Sequence, residues 1–166
     1  SLFTFNMPVE AIKKLMGVVA DPVALKIKGT KLNSEGALLI THWGMSGPAV
    51  LKLSSWGARD LHSMNYKFEV LINWLGDKSE QQIRDWLDQQ NLGKRQVGNK
   101  NPFLLTNRLW LFFLEKNGID AETTWNQLKK KSLNKLLNTL VNDEYKAEGK
   151  TTFKEVELGF TKEQAL

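Results

Sequence analysis

Apolar positions follow one period early in the chain and another later. Leu2-Phe3-Thr4-Phe5 is β-prone and stops at Pro8. Glu10 to Met16 has room for a helical turn or two, closed by Gly17. Asp21-Pro22 signals a turn. Val23, Leu25 and Ile27 then recur with period two, which predicts a half-buried strand. Lys28 to Gly36 reads as a hairpin loop, and Leu38 to Thr41 as the returning strand. From Ala49 to His62 the period becomes helical: Ala49, Val50, Leu53, Trp56, Gly57 and Leu61 fall on one side, with Arg59 and Asp60 on the wet side. Asn65 starts a turn, and Phe68, Val70, Ile72 and Trp74 share a strand face.

The character changes near Gly76. Ser79 and Gln82 have capping-box spacing ahead of the stripe Ile83, Trp86 and Leu87. Leu92 to Pro102 is a loop. Leu104 to Lys116 predicts a helix that is apolar nearly all round, which belongs at the centre of a bundle, and Asn117-Gly118 stops it. Asp120 to Leu128 reads as a third helical segment, and Leu133, Leu136, Leu137, Leu140 and Val141 as a fourth. Tyr145 to Phe160 returns to β-prone residues.

This order predicts an α+β fold. A β-rich, barrel-like lobe is built from both chain ends, residues 1–76 and 143–166, and a small helical bundle, residues 77–142, is inserted into it. The chain opens on Ser1, directly in a strand, as expected of a segment of a larger protein.

Composition narrows the classes. With 42% hydrophobic and 25% charged residues the chain should bury a core rather than remain disordered. It has no cysteine, which excludes disulfides, thiolate metal sites and cysteine nucleophiles. No apolar run approaches the ~18–20 residues of a membrane helix, and no signal peptide opens the chain, so a cytoplasmic protein is expected. The net charge of +5 is spread along the chain rather than clustered, apart from Lys94, Arg95, Lys100 and Arg108 around the helical lobe and the run Lys129-Lys130-Lys131. A non-enzymatic module binding nucleic acid through this basic lobe is the alternative function. It is the weaker reading, because charge runs on helices are usually solvated faces and the tryptophans are not interleaved with arginine.

The chemistry concentrates in Thr41-His42-Trp43-Gly44-Met45-Ser46-Gly47-Pro48, read as a strand end, a glycine-rich turn and a helix start. Ser46 suits a helix N-cap and Pro48 the first helical turn. Gly44-Met45-Ser46-Gly47 misses the nucleophile-elbow spacing by one residue. Two histidines, His42 and His62, without a helical ligand spacing make no metal site. No phosphate-binding glycine motif occurs.

Taken together, SLFTF, GALLITHWGMSGPAVLKLSSWGAR, INWL, NRLWLFFLEKNGID and GKTTFKE resemble one bacterial family, the HI0933-like flavoproteins, which include aminoacetone-oxidase-type and BaiN-type FAD-dependent oxidoreductases. The middle segment is the most specific. The resemblance implies that the chain is the insert of a larger flavoprotein, whose FAD-binding Rossmann domain is its partner. FAD is then expected in the intact protein and not on this chain alone. The insert would cover the flavin and shape the pocket of an unidentified small-molecule substrate, without being catalytic by itself. Thr41, His42, Trp43, Gly44, Ser46 and Gly47 would face substrate and flavin. His42 is the candidate catalytic residue, polarising a substrate group or shuttling a proton; a structural bond within the turn is its other reading. After TFKE the family usually continues into a strand and a Thr-x-Gly-Gly-Val turn, whereas Val156-Glu157-Leu158-Gly159-Phe160 stands here.

Overall fold

The computed structural model describes residues 2–152. Strands β1 (Phe3–Asn6), β2 (Val19–Ile27), β3 (Asn33–Ile40) and β4 (Gly44–Ser46) precede helix α1 (Pro48–Ser63) and strand β5 (Lys67–Asn73). Helices α2 (Glu80–Asp88), α3 (Asn107–Lys116) and α4 (Lys130–Val141) follow, then strands β6 (Asp143–Glu148) and β7 (Lys150–Thr152). A 3-10 turn, Ala11–Leu15, links β1 to β2.

The strands form one antiparallel sheet in the order β6-β5-β2-β3-β4-β1-β7. Its two outermost strands, β6 and β7, are consecutive in the chain and joined by Gly149 alone. The sheet therefore curls so that these two strands adjoin at that turn, which makes it barrel-like. Gly149 turns the corner at φ +85, a conformation other residues adopt with strain, and its N–H donates to the Tyr66 carbonyl over 2.8 Å. The architecture is α+β with a barrel built from both ends of the chain, as the change of period predicts.

Alternation fixes the barrel interior. Phe3, Phe5, Val23, Leu25, Ile27, Leu38, Ile40, Val70, Ile72 and Tyr145 are all buried. Helix α1 lays Ala49, Val50, Leu53 and Leu61 over this core. Two buried serine contacts fix its position: the Phe3 N–H donates to Ser54 Oγ over 3.1 Å, and Ser34 Oγ donates to the Ala49 carbonyl over 2.7 Å.

Local readings fail where distant backbone intervenes. Asp21-Pro22 is no turn between elements; it lies inside β2. Ala20 pairs Leu38 and Val23 pairs Gly36, so three residue steps oppose two, and the bulge accommodates a proline without an N–H. The hairpin loop is shorter than its polar composition suggests, because β3 already begins at Asn33. Helix α3 starts at Asn107 rather than Leu104, whose φ of +60 is not helical. The segment 120–128 is a series of turns, not a helix. Its carbonyls accept from a different loop: the Val97 N–H donates to Thr123 O over 2.7 Å and the Gly98 N–H to Ala121 O over 2.9 Å.

The capping box of α2 forms as expected, with Gln82 N–H on Ser79 Oγ at 3.2 Å and Ser79 N–H on Gln82 Oε1 at 2.8 Å. Helix α3 is apolar on several sides because it is packed from several sides: Phe113 lies 5.3 Å from the ring of Trp74 and Trp110 lies 6.2 Å from that of Trp125. The β-prone residues beyond Thr152, including the divergent Val156 to Phe160, lie outside the described residues.

Candidate functional site

The Thr41–Pro48 stretch is a tight loop, a short strand and a helix start. Thr41 closes the loop on itself: its N–H donates to Gly44 O over 2.9 Å, and its Oγ1 accepts the Gly44 N–H over 3.0 Å. The loop is then fastened to β1. The Met7 N–H donates to Trp43 O over 2.7 Å, Phe5 pairs Met45, and Asn6 pairs Gly44.

Close packing explains both glycines. A Cβ at Gly44 would stand 2.1 Å from the Phe5 carbonyl oxygen, and one at Gly47 would stand 2.9 Å from that of Ala37. The space beside each glycine is filled by neighbouring backbone. Ser46 does not cap α1. It is buried in β4 opposite Leu39, and Gly47 takes the N-cap position with Pro48 in the first turn. The extra strand pairing to β3 moves the helix start one residue on from where the local sequence suggests it.

His42 is exposed, and its ring stands edge-on to Trp43 with centroids 4.7 Å apart. Trp43 is half-buried and donates its indole N–H to Thr4 Oγ1 over 2.9 Å. Thr41, Gly44 and Ser46 are buried and hold the loop's shape. Of the six candidate positions, His42 is exposed, Trp43 and Gly47 are half-buried, and the other three are buried. Thr4 and Phe5 of β1 and Met7 just after it complete the site. Their contacts join segments 39 residues apart at Thr4–Trp43, and only sheet pairing shows that distance closed.

His62 is remote in role: its ring meets Tyr66 edge-on at 5.8 Å. Among the described residues no group of histidines and carboxylates is arranged to hold a metal ion. Among them also, no helix is long and apolar enough to cross a membrane. Of the basic residues, Arg108 donates to the Lys14 carbonyl over 3.2 Å, while Lys94, Arg95 and Lys129 to Lys131 are exposed.

A curled antiparallel barrel that carries a helical segment between its fifth and sixth strands defines a barrel-plus-helical-domain class of protein. The family model for the HI0933-like protein barrel and H2TH domain matches residues 1–158, and the chain belongs to that family. No curated protein matches the chain.

Proposed function

We propose that this chain is the domain that covers the flavin in an FAD-dependent oxidoreductase of the HI0933-like family. In this reading residues 77–142 form a helical lobe inserted into the barrel of residues 1–76 and 143–166, and the whole is inserted into a Rossmann domain. The observation that carries the reading is the match of residues 1–158 to the HI0933-like barrel and H2TH domain, and the pairing of Phe3 with Thr152 in adjacent antiparallel strands agrees with it. That pairing sets the first and last described strands side by side, a layout that suits insertion into another domain.

The candidate loop lies next to that junction. Thr4, which pairs Thr151, also accepts the Trp43 indole N–H. A domain attached through β1 and β7 is thereby brought close to Trp43 and to the His42 ring beside it. Bound FAD would supply the redox chemistry. Trp43 would wall the pocket against water, and the exposed imidazole of His42 would polarise a substrate group or carry a proton. Thr41, Gly44, Ser46 and Gly47 would hold that face in shape, and dinucleotide binding would fall to the other domain.

The test uses the intact flavoprotein. His42→Ala should lower flavin turnover about a hundredfold or more with FAD content unchanged, the contribution general acid–base catalysis typically makes. Unchanged turnover removes His42 from the site. FAD added to the 166-residue chain alone should leave flavin fluorescence unquenched; tight binding there would contradict the division of labour.

A further inference from the structure

We propose that the cavity between the β2 bulge, the turn after β5 and the helices is a binding site for a neutral aromatic small molecule. Its volume is about 750 Å³, inside the ~300–1,000 Å³ of small-molecule pockets. Val19, Trp74, Ile83, Trp86, Phe103 and Leu104 supply the apolar lining. Trp86 and Phe103 form an aromatic wall, their centroids 5.6 Å apart and tilted by 39°. Phe103 is backed in turn by Trp110 at 5.8 Å, so the wall is fixed to the core of the helices.

The rim is more apolar than the fold requires. Leu104 is 95% exposed and holds a φ of +60. A leucine there is strained and buries nothing, whereas glycine or asparagine would suit the turn better. Trp86 and Val19 are exposed beside the same cavity. Three apolar side chains around one concavity form a surface that a bound ring would cover.

Charge selects the ligand class. Asp21 and Lys78 are the charged lining residues, one of each sign. The lining therefore has no net charge to attract a phosphate or a carboxylate. Thr106 also lines the cavity, and its side chain makes no capping bond to α3, so its hydroxyl can serve a ligand oxygen. A neutral ring system with a hydroxyl or carbonyl group satisfies all of these. None of residues 41–48 lines this cavity, so the inference stands apart from the flavin reading.

The test is isothermal titration of the full chain with 2-naphthol, and with 2-naphthoate as the charged counterpart. Saturable 2-naphthol binding is expected, weaker binding of 2-naphthoate, and a loss of at least about tenfold in affinity in Leu104→Gly. That variant should keep or raise the thermal midpoint, since it relieves strain at an exposed position. No saturation up to about 1 mM would overturn the proposal. So would equal affinity in Leu104→Gly, tighter binding of 2-naphthoate, or a dimer in sedimentation that excludes 2-naphthol.

Discussion

Lys116 Nζ lies 2.6 Å from Asp143 Oδ1, where the last turn of α3 meets the first residue of β6. Asp143 Oδ2 accepts the Trp74 indole N–H at 3.0 Å and also the Tyr145 hydroxyl. Asp143 is only 4% exposed, so one buried charge ties the helices, the end of β5 and β6 together. Removing its cation leaves that charge with neutral donors only. Lys116→Met should cost about 2–3 kcal/mol in urea unfolding, somewhat below the usual range because the lysine is partly exposed. Lys116→Met combined with Asp143→Asn should cost less than the sum of the two single changes.

Two glycines with positive φ should respond very differently to alanine. At Gly44 the added Cβ would meet the Phe5 carbonyl at 2.1 Å, and neither strand can move without breaking the β1–β4 pairing. Gly44→Ala should cost about 3 kcal/mol. At Gly118, φ +68, nothing lies within 4 Å, and only the backbone preference is lost. Gly118→Ala should cost about 1 kcal/mol. Equal effects in chemical denaturation would show that the Gly44 contact is relieved by a local shift.

Tyr145 should make the fold alkali-sensitive. Burial, then the nearby Asp143 charge, hold its phenol well above the ordinary value of 10.0. Above that value the unfolded chain loses the proton while the folded chain keeps it. The unfolded state then binds fewer protons, and stability falls as pH rises. Its stabilising contribution is complete below pH 10.0 and is lost toward the raised folded-state value. The slope is about 1.4 kcal/mol per pH unit for one group. Unfolding of Tyr145→Phe from pH 9 to pH 11 should be less pH-dependent than that of the parent by about this amount. Parallel curves would show that Tyr145 ionises normally in the fold.

Trp43→Phe separates the two jobs of the indole. The ring survives, but the bond to Thr4 Oγ1 does not. Stability should fall by about 1 kcal/mol. In the intact flavoprotein, turnover should fall less than in Trp43→Ala, with FAD content the same in both. Equal turnover in all three proteins would remove the ring from the pocket wall.

Period and punctuation alone gave most of the elements. Val23, Leu25 and Ile27 declared a strand, Ala49 to Leu61 a helix, and Ser79 with Gln82 the start of another, because each signal is local and each element buries the face its period marks. The segment 120–128 misled because its backbone partners lie near residue 97, beyond any local window. The same applies to Asp21-Pro22, whose bulge depends on the register of β3. The buried node at Asp143 was not legible at all, since its partners come from positions 74, 116 and 145.

The Thr41–Pro48 stretch shows the division most clearly. Its sequence marked a constrained turn carrying a histidine and a tryptophan, and the resemblance placed it in a flavoprotein family. Only the tertiary structure decided what each residue does there. Ser46 became a strand residue because β3 pairs with it, and Gly44 is required because β1 lies against it. Trp43 is fixed by a threonine on the strand that pairs with β7. Local sequence dictates backbone preference and which face is apolar. Which strand arrives alongside is set by the pairing of the curled sheet, contacts between residues far apart in the chain.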